Sequence, residues 1–330
     1  MTRGPTLPAI AGSPPRVSVI IPCYNTAVLI ANCLDSVFAQ TFSGYEVIVV
    51  NDGSPDTAKL EQKLQPYREK IVYIEQLNKG AAGARNTAIA RANGELLAFL
   101  DSDDSWVPDH LARQIELFDS DPALGLVYSD ALLIRDSGHP KTFMEKCPSE
   151  GSATFEALVV ESCQIPISTV VARKDAIVKV GGFDENLRRC DDYDMWLRAA
   201  FSGTKIAYRR SLQARLFLGR PDSLGGSQSK MTEACWKILE KTAQTLPLND
   251  AQRKLVNHRA AEFKARYLLE QGKVQLYERH PERARELLVE ANQHFRTLKL
   301  SMAIRSLELA PRSACALLAA WHRFRNTLTV

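Results

Sequence analysis

Strand-length runs of apolar residues alternate with helix-length segments through the first part of this chain. Five such runs lie at residues 17–21, 45–50, 71–74, 95–100 and 124–128. Between the first two runs, Ile30, Leu34 and Val37 recur at helical spacing. Near-continuous apolar strands separated by helices are typical of a parallel sheet covered on both faces. The pattern therefore predicts an α/β domain with a mostly parallel sheet.

The pattern becomes less regular from residue 141 to about residue 226. Strands are predicted there at 167–172 and 214–218, and a helix at 191–201. After residue 227 the spacing is helical throughout, with helices expected at 231–245, 250–270, 274–279 and 281–295 and two shorter ones beyond. We therefore expect a flexible segment (1–15), an α/β domain (16–226, with halves 16–130 and 131–226) and a helical region (227–330).

Carboxylates follow two of the predicted strands. Asp52 follows the second and Asp101 the fourth, and ligands of parallel sheets bind outside the carboxyl ends of strands. Asp101 and Asp103 project to the same side if the extended conformation persists. Mg²⁺ often bridges one or two such carboxylates to the phosphates of a substrate. The same run is also compatible with an Asx turn that caps the next helix.

Composition narrows the class of protein. The chain has 330 residues and a net charge of +4, but residues 231–330 hold 17 Lys and Arg against 10 Asp and Glu. The seven cysteines are scattered and never spaced as Cys-x-x-Cys, which argues against a disulfide framework or zinc site and indicates a reducing compartment. No apolar run is long enough to span a membrane, and no nucleic-acid partner is expected.

Four segments, taken together, closely resemble a known family. They are residues 17–25 (Val-Ser-Val-Ile-Ile-Pro-Cys-Tyr-Asn), 49–54 (Val-Val-Asn-Asp-Gly-Ser), 78–86 (Asn-Lys-Gly-Ala-Ala-Gly-Ala-Arg-Asn) and 101–104 (Asp-Ser-Asp-Asp). In this order and spacing they resemble the family 2 inverting glycosyltransferases of the GT-A fold, over residues 17 to about 225. The resemblance implies a Rossmann-like nucleotide-diphospho-sugar transferase fold with a C-terminal helical extension, and an enzyme that transfers a sugar to a hydroxyl group.

The resemblance implies a nucleotide pocket at the first two strand ends. Asp52 would contact the base, and its alternative is a turn residue in Asp-Gly-Ser. Pro22, Tyr24 and Asn25 would line the same pocket, with Tyr24 packed on the base. Their alternative role is strand termination and helix capping.

The segment from Lys79 through Gly80 to Arg85 combines small residues with two cations, and a helix N-terminus favours anions. Similar loops in the family contact the nucleotide and the donor sugar. Arg85 is expected to contact phosphate or sugar, and its alternative is a structural salt bridge to a nearby aspartate.

Residues 101–104 match the family's DxD motif. The resemblance implies that Asp103 ligates Mn²⁺ or Mg²⁺ and that Asp101 contacts the ribose or a metal-bound water. Ser102 is assigned to the same donor site. Asp104 would contact sugar hydroxyls or cap the next helix.

A fifth match covers residues 181–185 (Gly-Gly-Phe-Asp-Glu) and 190–198 (Cys-Asp-Asp-Tyr-Asp-Met-Trp-Leu-Arg). An inverting transfer needs a carboxylate that accepts the proton of the acceptor hydroxyl, preferably one with a raised pKa. Asp192 matches the family's base, but Asp191 stands where the family usually has Glu, so both remain candidates. Alternatively, these carboxylates only stabilise a helix N-terminus.

Arg220 stands where many relatives carry a His. It is expected to contact the diphosphate, or to alter the dependence on metal. The stretch 219–227 around it would form a mobile lid over the donor.

The resulting hypothesis is a cytoplasmic enzyme that uses a UDP-sugar in the synthesis of a cell-surface polysaccharide or glycoconjugate. Its acceptor would be a saccharide, a lipid-linked saccharide or a protein. A homo-oligomer is compatible with the sequence, as is contact of the basic C-terminal helices with the inner face of a membrane. Two other functions remain open: a non-catalytic scaffold with the same fold, and a sugar-nucleotide pyrophosphorylase.

Overall fold

The structure, a computed structural model, describes residues 14–135, 141–218, 228–314 and 317. The chain divides into two compact units, residues 1–220 and residues 221–330. The sequence placed this division a few residues later, at 226. The predicted flexible segment 1–15 lies almost entirely outside the described residues.

In the described part of the first unit, nine strands form one sheet. They are β1 (Val17–Cys23), β2 (Tyr45–Asp52), β3 (Val72–Gln76), β4 (Leu96–Phe99), β5 (Ser105–Trp106), β6 (Leu124–Ile134), β7 (Lys141–Thr142), β8 (Val171–Arg173) and β9 (Lys205–Phe217). Their order in the sheet is β3-β2-β1-β4-β8-β6-β9-β5, and β7 pairs with β6. The carboxyl ends of β1, β2 and β4 therefore meet at one edge.

The sheet is mixed, which corrects the expectation of a mostly parallel sheet. Strands β1 to β4 pair in parallel, as their apolar runs predict. Beyond β4 the short strand β8 runs antiparallel to both β4 and β6, whereas β6 and β9 are parallel. Strand β5 then pairs antiparallel with β9. The parallel prediction holds throughout β1 to β4, whereas the rest of the sheet combines parallel and antiparallel pairs.

Helices cover both faces of this sheet. They are α1 (Ile30–Phe38), α2 (Thr57–Leu64), α3 (Gly80–Arg91), α4 (His110–Ser120), α5 (Phe143–Lys146), α6 (Phe155–Val159), α7 (Lys174–Lys179) and α8 (Asp191–Phe201). Strand side chains alternate between faces. On β4, Ala98 thus joins the core formed with α1 and α4, while Phe99 makes edge contacts with Phe183 and Trp196. Packing on both faces of the sheet fixes the edge at which Asp52 and Asp101 lie.

The second unit is helical in its described part. It consists of α9 (Gln228–Thr245), α10 (Asp250–Tyr277), α11 (Pro281–Phe295) and α12 (Leu298–Leu309). Helix α10 is continuous where two helices were predicted. Gly272, at the predicted break, lies where a Cβ would come within 2.7 Å of Leu288, so its glycine serves close helix packing. None of the described helices is long and apolar enough to cross a bilayer, and none of the six described cysteines forms a disulfide.

Gly94 provides a test of how tightly β1 and the turn before β4 are packed. A Cβ at this position would lie 2.6 Å from the backbone nitrogen of Ser18 and 2.7 Å from the carbonyl carbon of Val17. Because backbone cannot move aside as a side chain can, Gly94→Ala should lower the free energy of unfolding by about 2 kcal/mol or more.

Urea denaturation measures this change, and Gly44→Ala is the matched control. The Cβ there meets only the ring of Phe42, whose side chain can rotate away. An equal loss of stability in the two variants would contradict the packing described for Gly94.

Candidate active site

The loops that follow β1 and β2 are joined by hydrogen bonds. The backbone N–H of Asn25 donates to Ser54 Oγ at 2.7 Å, and the N–H of Ala27 donates to Asp56 Oδ2 at 2.9 Å. Tyr24 remains about half exposed beside them. Asn25 has a left-handed backbone, with φ of 54°. The helix begins only at Ile30, so the capping alternative for Asn25 is wrong.

Asp52 is buried at the end of β2 and organises the segment before α3. Its Oδ1 accepts hydrogen bonds from Gln76 Nε2 at 2.7 Å and from the Lys79 backbone N–H at 2.8 Å. Its carbonyl oxygen accepts from Asn78 Nδ2. The Lys79 side chain is exposed, and Gly80 starts α3 with φ of 79°. Asp52 therefore shapes the pocket edge, in addition to any contact that it makes with a ligand.

Arg85 lies at the centre of the candidate site. Its side chain is 5% exposed, with Nη2 at 2.7 Å from Asp101 Oδ1 and Nη1 at 2.6 Å from Asp191 Oδ2. The guanidinium also lies over the ring of Phe183, 5.5 Å from its centroid. Burial lowers the pKa of Arg85, but the two carboxylates outweigh it and the net shift is upward. The salt-bridge alternative for Arg85 is thus the arrangement that the structure shows.

The neighbouring residue, Asn86, was missed from the sequence. Its Oδ1 accepts a hydrogen bond from the Phe183 N–H, and its Nδ2 donates to the Phe183 carbonyl oxygen at 2.8 Å. Gly182, with φ of 70°, allows the approach, since a Cβ there would lie 2.8 Å from Asn86 Oδ1. The only sequence signal for a role of Asn86 was its position after Arg85 in the matched segment. Asn86 therefore fastens the Gly-Gly-Phe loop to α3.

The DxD loop is held from several sides. The Asp101 N–H donates to Ser168 Oγ, and Ser102 Oγ lies 2.9 Å from Thr26 Oγ1. Asp104 is buried, and its two oxygens accept from the Phe217 N–H at 3.0 Å and from Ser168 Oγ at 2.6 Å. Asp104 thus ties the loop to β9, which is a structural role. A contact of Asp104 with sugar hydroxyls remains a prediction.

Helix α8 presents the two base candidates at its N-terminus. Asp191 is buried and bonded to Arg85, whereas Asp192 is half-buried and accepts a hydrogen bond from the Tyr193 N–H. Burial and the charge of Asp191 raise the pKa of Asp192 to about 7, against the opposing effect of Arg85. In the same helix Arg198 forms an ion pair at 2.7 Å with Asp194, four residues before it. The two candidates therefore differ in their hydrogen-bond partners, since Arg85 engages only Asp191.

The residues of the DxD loop fit a hard divalent cation only in part. Among the described residues, no three His, Cys, Asp or Glu side chains are grouped to hold a metal. Asp101 and Asp103 are half-buried oxygen donors, and burial together with their charges raises the pKa of Asp104. Two carboxylates suit Mn²⁺ or Mg²⁺ when substrate phosphates complete the coordination. The protein alone thus supplies only part of the coordination that such a metal needs.

A cavity lies away from this cluster, and part of the predicted site lies outside the described residues. A cavity of about 410 Å³ is lined by Asp130, Met144, Tyr208 and Arg210, among others, and includes none of the predicted site residues. Arg220, and the lid predicted at 219–227, lie outside the described residues. Pro22 is placed near the end of β1, opposite Val50 of β2.

Comparison with known proteins identifies the class. The family model described as Glycosyl transferase family 2 matches residues 18–148. A glycosyltransferase of Rickettsia typhi is 29% identical over 67% of this chain and 70% of its own length. The amylovoran biosynthesis glycosyltransferase AmsB of Erwinia amylovora is 32% identical over 57% of this chain and 65% of its own length.

Solved structures agree on the fold. TarS 1-349 of S. aureus has a TM-score of 0.62 at 18% identity, covering 93% of this chain and 91% of that one. The mannosyltransferase PcManGT of Pyrobaculum calidifontis, solved with GDP-Man and Mn²⁺, has a TM-score of 0.59 at 18% identity, covering 94% and 88%. Residues 18–148 thus match glycosyltransferase family 2, and the chain has the GT-A fold. It is an enzyme of the glycosyltransferase class.

Replacement of Arg85 by a neutral residue should lower the free energy of unfolding strongly. Arg85→Gln leaves the buried Asp191 carboxylate without its charged partner, which should cost about 3 kcal/mol of unfolding free energy or more. Urea denaturation measures the loss. Arg113→Gln, which removes an exposed ion pair with Asp109, should cost about 1 kcal/mol or less. Similar losses in the two variants would show that Arg85 is not the central contact.

Proposed function

We propose that this enzyme transfers a sugar, with inversion, from a UDP-sugar to a hydroxyl group of a surface-glycan acceptor. The observation that carries the proposal is the chain of ion pairs Asp101–Arg85–Asp191. It places the DxD loop beside the helix end that bears Asp192. In this proposal the donor site and the base lie on either side of one guanidinium, as a direct displacement between donor and acceptor requires.

In this proposal Asp192 is the general base. As a carboxylate it accepts the proton of the acceptor hydroxyl, while the acceptor oxygen attacks the anomeric carbon from the face opposite the nucleotide. The bond from that carbon to the diphosphate oxygen breaks, and the nucleoside diphosphate leaves with the electron pair. Asp191 is engaged by Arg85, so it serves to position α8 rather than to accept the proton.

The donor end of the site is assigned to the loops after β1, β2 and β4. Tyr24, Asn25 and Asp52 would surround the nucleoside, and Asp103 with Asp101 would hold Mn²⁺ or Mg²⁺. The bound metal would supply positive charge that stabilises the leaving diphosphate. Structures of S. aureus TarS 1-349 with UDP and UDP-GlcNAc support a uridine donor, and PcManGT with GDP-Man defines the alternative.

The polysaccharide context rests on a relative, the amylovoran biosynthesis protein of Erwinia amylovora. The cavity beside Tyr208 has an aromatic ring, a carboxylate and a guanidinium, which are groups that suit a saccharide. The family match favours sugar transfer over pyrophosphorylase chemistry. A catalytically silent scaffold would bind nucleotide without turnover, so the assays below separate it from an enzyme.

The metal assignment predicts a specific loss of turnover. Release of nucleoside diphosphate is measured with UDP-glucose, UDP-GlcNAc, UDP-galactose and GDP-mannose, with Mn²⁺, Mg²⁺ or EDTA. Release from a UDP-sugar that requires a divalent metal is expected, and Asp103→Ala should reduce it by about 10²-fold or more. The control Asp109→Ala, in a surface ion pair, should retain activity. Metal-independent release would contradict the assignment of the metal site. Turnover from GDP-mannose alone would contradict the assignment of a UDP-sugar as donor.

The raised pKa of Asp192 predicts the direction of the pH dependence. The base must be ionised, so kcat/KM should fall about tenfold per pH unit below pH 7 and reach a plateau above it. Asp192→Asn should lose about 10²-fold or more of the transfer activity while UDP still binds. Asp175→Asn, an exposed carboxylate on α7, serves as control. A flat profile between pH 5 and pH 8, measured on the wild type, would remove Asp192 as the base.

A further inference from the structure

One cavity in the first unit takes no part in the mechanism proposed above. Its volume of about 410 Å³ is within the range of small-molecule sites. A tyrosine ring, a carboxylate and a guanidinium line it, from Tyr208, Asp130 and Arg210. We call this space the Tyr208 cavity. What it binds follows from its free polar groups and from its position in the sheet.

The polar groups of the Tyr208 cavity are available to a ligand. Asp130 Oδ1 accepts hydrogen bonds from the backbone N–H groups of Ala131 at 2.8 Å and Met144 at 3.0 Å, whereas Oδ2 has no partner among the described residues. In the same described part of the chain, neither the Tyr208 hydroxyl nor the Arg210 guanidinium has a hydrogen-bond partner. The cavity therefore offers one free acceptor, one free hydroxyl and one free set of N–H donors.

The tyrosine ring of the cavity is held in place. Tyr208 stacks on Tyr128, with ring centroids 5.1 Å apart and planes inclined by 28°. The Tyr128 hydroxyl is in turn 2.7 Å from Ser149 Oγ, which is buried. Burial and the charge of Asp130 raise the pKa of Tyr208, so its phenol keeps the proton that it can donate. A ring fixed in this way loses little freedom when a ligand packs against it.

The Tyr208 cavity lies at the same edge of the sheet as the DxD loop. Ala98 of β4 and Val127 of β6 are both paired with Val171 of β8. Three residues further along these two parallel strands, Asp101 and Asp130 therefore lie at the same level, two strand spacings apart. With about 4.8 Å between neighbouring strands, that separation is roughly 10 Å.

The cavity also lies on the face of the sheet that carries α8. Val127 and Ala131 of β6 belong to the core with α1 and α4. Because strand side chains alternate, Asp130 projects from the opposite face. On β4, Phe99 projects from that opposite face as well, where it packs against Trp196 of α8. Since α8 begins with the two base candidates, the cavity lies on the side of the site where the acceptor is expected.

The charges of the cavity select a neutral ligand with many hydroxyl groups. A phosphate would meet the carboxylate of Asp130, and a cationic ligand would meet the guanidinium of Arg210. A sugar hydroxyl can donate to the first and accept from the second. The apolar face of a sugar ring can pack on the ring of Tyr208, as pockets with aromatic walls and a few polar groups allow. A saccharide uses all three groups at once.

We propose that the Tyr208 cavity binds a sugar unit of the acceptor chain, behind the unit whose hydroxyl attacks the donor. A separation of roughly 10 Å from the DxD loop leaves room for the attacking unit between the two sites. The inference rests on the proposed function, and it makes the acceptor an oligosaccharide instead of a monosaccharide or an amino-acid side chain.

Saccharide binding to the full chain, without donor, tests this by ligand-observed NMR titration. The probes are cellotetraose, maltotetraose and chitotetraose, with glucose and N-acetylglucosamine as their single units. At least one tetrasaccharide is expected to bind, and its single unit should bind about tenfold or more weakly, because it cannot fill the attacking position and the cavity together.

Variants of the cavity should weaken tetrasaccharide binding. Arg210→Gln should weaken it about tenfold, because hydrogen bonds to a charged group are lost. Arg210 is exposed, so this variant should fold normally. Tyr208→Ala should have a similar effect, whereas Tyr208→Phe, which keeps the ring, should lose less. The matched control is Arg113→Gln on α4, at the opposite face of the sheet, which should bind as the wild type does.

Three outcomes would overturn the inference: no tetrasaccharide binds, the single unit binds as tightly as the tetrasaccharide, or Arg210→Gln binds as the wild type does. The assays of nucleotide release separate this inference from the proposed function. Turnover of a UDP-sugar with unchanged tetrasaccharide binding in Arg210→Gln would contradict only the role of the cavity. Binding that Arg210→Gln weakens, without turnover of any UDP-sugar, would support the saccharide site and contradict the proposed function.

Discussion

One buried cation, Arg85, fixes the relative positions of the parts that the chemistry needs. It bonds Asp101, 16 residues further along the chain, and Asp191, 106 residues further. A buried charge is costly unless it is paired, so each carboxylate must lie where the guanidinium can reach it. Because Asn86 holds the backbone of Phe183 in the same turn of α3, this helix connects the DxD loop, the Gly-Gly-Phe loop and the N-terminus of α8.

The positive charge of Arg85 also offsets part of the negative charge in an otherwise anionic region. Asp101, Asp103, Asp104, Asp191 and Asp192 lie on the two sides of Arg85, and burial together with the charges of neighbouring aspartates raises the pKa values of Asp104 and Asp192. Arg85 pairs with one carboxylate on each side, Asp101 and Asp191. In the proposed mechanism Asp103 would hold the metal that binds the diphosphate, and Asp192 would accept the proton of the acceptor.

The first half of the fold could be predicted because its strands are apolar on both faces, and the strand ends placed Asp52 and Asp101 at the edge where they lie. In the second half the helix at 191–201 was predicted correctly, but most of the strands were not. Strand β9 carries alternating polar residues in Lys205–Phe217, and β5 has two residues, so neither has a strong local signal. Helix α2 was missed because Leu60 and Leu64 are its only buried positions. The pair of Arg85 and Asp191 depends on packing across most of the unit, which no local pattern contains.

The account depends most directly on the energy of the pair formed by Arg85 and Asp191. A double-mutant cycle with Arg85→Gln and Asp191→Asn, measured by urea denaturation, isolates that energy from the effects of each single change. A favourable coupling of about 2 kcal/mol or more is predicted for a buried, bonded pair. A coupling below about 0.5 kcal/mol would contradict the account, because the two loops would then be positioned by something else.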